Sequence, residues 1–149
     1  MSEIIPIGAD HAGFELKQRL VRELEKLGYQ PLDLGTNSPD SVDYPKYAHE
    51  VGERVARGEN QRGVLLCGTG LGMSYAANRY HGVRAAVVWS PEIAHLAREH
   101  GDANVLVLPA RFLSEDQAVA ILKEWLATPF AGGRHARRVA QIEETGSHV

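Results

Sequence analysis

Cysteine is scarce: Cys67 is the one cysteine in 149 residues. That excludes an intramolecular disulfide framework and any multi-cysteine zinc or iron–sulfur centre. No apolar run approaches the roughly 18 residues that a membrane-crossing helix needs. The start, Met1-Ser2-Glu3-Ile4-Ile5-Pro6, has no basic stretch followed by a long apolar one, so no signal peptide is expected. Charge of one sign is also sparse. The formal net charge is −3, a slight acidity that argues against a protein coating nucleic acid. His49, His81, His95 and His148 lack the paired spacing of metal ligands. No internal repeat, linker or low-complexity tract interrupts the chain. What is there is 44% hydrophobic and 23% charged. A chain of this length can bury roughly 70% of its unfolded surface without a covalent staple. The expectation is a soluble, cytoplasmic protein of one domain, residues 1–149.

Short apolar runs alternate with longer segments of helical period. The expected strands are Ile4–Gly8, Gln30–Leu34, Gly63–Cys67, Arg84–Trp89 and Val105–Leu108, rich in Val, Ile and Leu. Leu16, Leu20, Leu24 and Leu27 form a helical stripe that Gly28 stops. Ser90 before Pro91 marks a helix start, and Ser114 with Gln117 forms a capping box ahead of Ala118, Ile121, Leu122, Trp125 and Leu126. Five strand–helix alternations imply a three-layer α/β/α sandwich, a Rossmann-like five-stranded parallel sheet with helices on both faces. Pro6 is a misfit, because it removes a donor from a strand that should be paired, so a late start or a bulge is expected there. The tail turns basic after Gly132-Gly133 and predicts a C-terminal helix over about 134–145, with 146–149 frayed.

Parallel sheets bind ligands at the carboxyl ends of their strands. Three loops are assigned there: Gly8 to Gly13, Cys67 to Gly72, and the end of the fourth strand's helix at His100-Gly101-Asp102. The second is not a dinucleotide fingerprint, because Met73 stands where Gly or Ala is needed. It is not a P-loop, because Gly-Lys is absent, and not a cysteine phosphatase loop, which would need Arg at 73. It places a cysteine at a Gly-rich helix entrance. A free thiol of pKa near 8.5 is only about 3% ionised at pH 7, and a helix N-terminus can make it a usable base or nucleophile. The competing reading is a buried structural cysteine. Asp10 and His11 read as an acid–base pair or phosphate contact, or as a helix cap beside a solvated histidine. His100 and Asp102 read as a second acid–base pair or as a helix-ending histidine. Arg134 and Arg138, four apart, lie on one side of a helix and form either a phosphate clamp or a solvated face; Arg137 points elsewhere.

Six motifs in order resemble the type B ribose-5-phosphate isomerases, within the wider family that includes galactose-6-phosphate isomerase subunits. They are G-A-D-H-A-G-F at 8–14, D-Y-P at 43–45, C-G-T-G-L-G at 67–72, A-A-N at 76–78, D-A-N-V-L at 102–106 and G-G-R-H-x-x-R at 132–138. The resemblance implies an aldose–ketose isomerase of the pentose phosphate pathway that works without metal or organic cofactor. It implies that Cys67 moves a proton between C2 and C1 through a cis-enediolate, with Thr69, Asp10 and His100 as its catalytic company. Backbone donors from Gly68, Gly70, Leu71 and Gly72 would hold the enediolate. His11, Arg134 and Arg138 would hold the phosphate, joined by Arg111, which some members contribute from a neighbouring subunit. Tyr44 and Asn78 match positions near the ligand. The implied assembly is a homodimer or dimer of dimers with its active sites at the subunit interface, taking a small phosphorylated sugar and neither nucleic acid nor membrane as partner.

One branch of the family uses a glutamate six positions after a glycine that replaces the cysteine. Met73 and Cys67 place this chain in the cysteine branch. Gly101 stands where the family usually has Asn, which removes an amide contact to the sugar. Ribose 5-phosphate is the leading substrate, with allose 6-phosphate, galactose 6-phosphate or a tetrulose phosphate as alternatives. The rivals outside that chemistry are a non-catalytic sugar-phosphate-binding subunit and a thiol-dependent hydrolase, which would need a histidine close to Cys67.

Overall fold

The computed structural model describes residues 2–144; the expected fraying of 146–149, residue 145 of the last helix and His148 lie outside them. Five strands, β1 (Ile4–Ala9), β2 (Gln30–Asp33), β3 (Gly63–Cys67), β4 (Ala85–Val87) and β5 (Val105–Pro109), form one sheet in the order β2-β1-β3-β5-β4. Every pairing is parallel. The helices are α1 (Phe14–Lys26), α2 (Pro45–Ala56), α3 (Leu71–Ala77), α4 (Pro91–Glu99), α5 (Glu115–Ala127) and α6 (Arg134–Ile142).

Side chains alternate across each strand, so the sheet feeds two separate cores. Val64 and Leu66 point toward α1, α4 and α5, where Leu20, Ala94, Ile121 and Trp125 are buried with them. Leu65 and Cys67 point the other way, into a core with Val51 of α2 and Met73 of α3. The helix starts follow local chemistry. Ser90 Oγ accepts from the Ile93 N–H at 3.2 Å, and Ser114 and Gln117 exchange both bonds of their capping box.

Pro6 causes neither a late start nor a bulge. β1 runs unbroken through it, with Pro6 opposite Leu32. The Ile7 carbonyl and the Ala9 N–H both bond on the β2 side, so even-numbered residues face β3, as the bond from Asp10 N–H to the Leu66 carbonyl confirms. Pairing with β3 begins only at Ile7 opposite Val64. The missing donor of Pro6 therefore falls just before the ladder it would have joined. β4 is shorter than the expected Arg84–Trp89. The Arg84 N–H is taken by Asn104 Oδ1 at 2.7 Å, and Trp89 is turned out to solvent.

Candidate active site

Cys67 is the last residue of β3 and is only 5% exposed. The chain then has to reverse into α3 within three residues. Gly70 makes the reversal in the left-handed conformation, φ +78°, which a side chain would strain. That turn aims the Gly70 N–H at Cys67 Sγ, 3.2 Å away, and the Leu71 N–H at Thr69 Oγ1, also 3.2 Å. The sulfur thus sits against a backbone donor at the entrance to α3.

The β1 loop lies alongside. Asp10 is buried and accepts from the N–H groups of Ala12 and Gly13, at 3.0 and 3.3 Å, so it is a helix cap held at the carboxyl end of the sheet. His11 Nδ1 accepts the Val42 N–H at 3.2 Å, which leaves the proton on Nε2, ready to donate to an anion. Tyr44 packs its ring against Gly72. Arg111 donates its N–H to the Gly68 carbonyl at 3.1 Å and lays its guanidinium over Gly68. Asp10, His11, Tyr44, the Cys67 to Gly72 turn and Arg111 therefore gather at one end of a single chain.

His100 does not join them. A helix between parallel strands runs back along the sheet, so α4 ends at the amino ends of the strands, not at the carboxyl ends where the sequence reading had placed it. The Gly63 N–H bonds the Asn104 carbonyl at 2.9 Å, which sets this turn level with the start of β3. Cys67 lies four residues further on, roughly 13 Å at strand rise. Arg134 and Arg138 go with His100, because the His135 ring stacks on His100 with centroids 4.2 Å apart and planes 9° apart. The sequence reading missed that stack, although His135 stood inside the G-G-R-H motif. Burial lowers the pKa of His135, and its neighbours His100, Arg134 and Arg138 lower it further. Asn78 is also on this side, at the end of α3. Both ends of its amide are bonded to the Ala85 backbone, at 2.8 and 2.9 Å. A cavity of about 730 Å³ bordered by Asn78, Arg84, Ala97, Gly101 and Ile142 opens here, at the amino end of the sheet.

The candidate residues thus form two groups at opposite ends of the sheet. Among the described residues no cluster of three or more His, Cys, Asp or Glu side chains could hold a metal ion. No described helix is long and apolar enough to cross a membrane.

The chain is similar over nearly its whole length to several known proteins. The ribose-5-phosphate isomerase B of Escherichia coli K12 is 44% identical over 138 residues, 93% of either chain. A probable ribose-5-phosphate isomerase B of Mycoplasma pneumoniae is 42% identical over 143 residues, covering 95% of this chain and 94% of that one. The crystal structure of a ribose 5-phosphate isomerase from Thermotoga maritima superimposes with a TM-score of 0.93 at 49% identity, over 97% of this chain and 100% of that one. The Mycoplasma genitalium ribose-5-phosphate isomerase B, solved with bound ribulose-5-phosphate, gives 0.92 at 41% identity, over 96% and 95% of the two chains. Residues 5–142 match the family described as Ribose/Galactose Isomerase, and the chain belongs to that family.

Proposed function

We propose that this protein is an aldose–ketose isomerase that interconverts ribose 5-phosphate and ribulose 5-phosphate, acting as one sugar-phosphate isomerase domain. The observation that carries the reading is Cys67 at the end of β3, its sulfur facing the Gly70 N–H, beside Asp10 and His11. Relatives named ribose-5-phosphate isomerase B, and the one solved with ribulose-5-phosphate, support the choice of sugar.

The chemistry needs a base at C2 and donors for the oxygens. The Cys67 thiolate takes the C2 proton, the electron pair moves into a cis-enediolate, and the same thiol returns the proton to C1. Donors of the Gly68 to Gly72 turn meet the negative oxygen as it develops, which is worth most where water is excluded. Thr69 fixes the reacting end of the sugar. Asp10 and His100 serve ring opening and the hydroxyl protons, and His11, Arg111, Arg134 and Arg138 grip the phosphate.

Because one chain keeps Cys67 and Arg138 at opposite ends of its sheet, we place each complete site between two copies. One supplies the Cys67 half and the other supplies His100, Arg134 and Arg138. Exposed apolar residues around the Cys67 end support such a contact. Trp89 and Phe112, which follow the carboxyl ends of β4 and β5, are 61% and 71% exposed and offer ring surface that a second copy would cover. A homodimer is the smallest assembly that completes the site, in the cytoplasm where its substrate would be found.

The test is turnover by the purified protein alone across four-, five- and six-carbon aldose and ketose phosphates. Ketose appearing fastest from ribose 5-phosphate is expected. Preference for a six-carbon phosphate would reassign the substrate to the space left at Gly101, and no ketose from any sugar would overturn the isomerase reading.

A further inference from the structure

α6 carries Arg134 and Arg138 yet buries none of its side chains, and Ile142 near its end is 62% exposed. Apolar packing in this chain therefore does not set the direction of the helix. Polar contacts at its two ends take that role. At the amino end, His135 stacks on His100. At the carboxyl end, Glu143 receives two donors, Arg84 Nη1 on Oε1 at 2.6 Å and the Gly82 N–H on Oε2 at 2.8 Å.

Arg84 then reaches past α6. Its Nε donates to the Asp102 carbonyl at 3.1 Å, and its Nη2 lies 3.4 Å from Asp102 Oδ2. Asp102 comes two residues after His100 and holds a left-handed conformation, φ +47°, uncommon outside glycine though more accessible to aspartate than to most residues. Arg98 Nη1 grips the other carboxylate oxygen at 2.8 Å. One guanidinium thus ties the end of α6 to the turn that carries His100. Arg84 and His81, whose Nδ1 is 3.7 Å from Oε2, are the charged or titratable groups facing Glu143. Burial pushes the Glu143 carboxyl up, but the Arg84 and Gly82 donors and these charges outweigh it and hold it below its ordinary value of 4.5.

We infer that Arg84 and Glu143 are positioning residues that fix the phosphate-binding arginines of α6 relative to His100. The inference rests on the reading that Arg134 and Arg138 hold the phosphate of the sugar that His100 faces. With the carboxyl end of α6 released, the helix pivots on the His135 stack, and Arg138, three residues from that pivot, moves more than Arg134. Misplacement of a binding group by about 1 Å is enough to be felt at a site of this kind. The loss appears in the grip on phosphate more than in proton transfer, because the Cys67 half is built from other elements.

The test compares full-length wild type, Glu143→Ala and Glu143→Gln for KM and kcat with ribose 5-phosphate. It also measures binding of inorganic phosphate by calorimetry and hydrogen exchange of the α6 amides. Glu143→Ala should raise KM and the phosphate Kd by about tenfold, leave kcat within about twofold, and speed α6 exchange. Glu143→Gln, which keeps one acceptor oxygen for either Arg84 or Gly82 and sets an amide donor against the other, should fall between Ala and wild type, and it serves alone if the alanine variant does not fold. Arg138→Ala, measured beside them, tests the underlying reading. An unchanged KM in Arg138→Ala removes the phosphate site and the inference with it. A raised KM in Arg138→Ala with wild-type KM and phosphate Kd in both Glu143 variants overturns the inference alone. A lower melting temperature with unchanged KM, kcat and Kd also overturns it, because that is support of the fold only.

Discussion

Gly13 and Leu66 touch so closely that a methyl group on the Gly13 α-carbon would stand 2.6 Å from the Leu66 β-carbon. No β-carbon occupies so short a distance, and both partners are fixed, one in a helical turn and one inside β3. The contact seats the Asp10 loop against the strand that ends in Cys67. Gly13→Ala should therefore push this loop away, at a stability cost of about 1–3 kcal/mol for overpacking. Thermal melting and steady-state kinetics check it together, and a variant with wild-type melting and wild-type kcat would show that the loop yields freely.

Cys67→Ala should lower kcat by at least about a hundredfold, the lower bound for loss of a general base, while KM stays close to wild type. The side chain lies in a core but fills only a small volume, and alanine fits the space. Near-normal turnover in this variant would remove the sulfur from the chemistry.

If each site is shared between two copies, two inactive variants should rescue one another. Cys67→Ala and His100→Ala fail for different halves. A mixed dimer would regain one intact site, so random mixing of subunits yields about a quarter of wild-type activity. Activity that stays at the level of the separate variants after subunit exchange would mean that both halves act within one chain.

Glu143 gives stability a dependence on acid. Its carboxyl is lowered on folding, so its contribution is complete above the ordinary value of 4.5 and is lost as pH falls through the lower folded value. Wild type should melt above Glu143→Gln at pH 7, and the gap should narrow as pH falls below 4.5. Paired calorimetric scans across this range check it; a gap independent of pH would mean that the carboxylate charge adds nothing.

The sheet and the gathering of the candidate residues around Cys67 were legible because their signals are local. The run Val64-Leu65-Leu66 ends on a glycine-rich turn, and the caps at Ser90 and Ser114 sit beside the helices they start. The end of α4 was misplaced because a histidine following a helix carries no mark of which edge of the sheet it reaches; chain direction decides that. Pro6 was misjudged for a related reason. A proline costs a ladder bond only on the side its nitrogen faces, and that side depends on where the neighbouring strand begins. The contacts around the second group of candidate residues join positions far apart in the chain, such as Arg84 and Glu143, 59 positions apart. Neither residue belongs to a motif, so only the folded chain brings them into view.

β3 is five residues long and buried throughout, and its side chains alternate between two cores. The sulfur faces α2 and α3 only because Cys67 stands an even number of steps from Leu65. Insertion or deletion of one residue inside this strand would swing the thiol into the layer of Trp125, on the wrong side of the sheet for any sugar, even if every other residue kept its place. Two residues gained or lost would restore its side but shift it along the strand by nearly 7 Å, about the length of two strand residues. The chemistry proposed for this protein is therefore tied to the parity of one short strand as firmly as to the identity of the residue at its end.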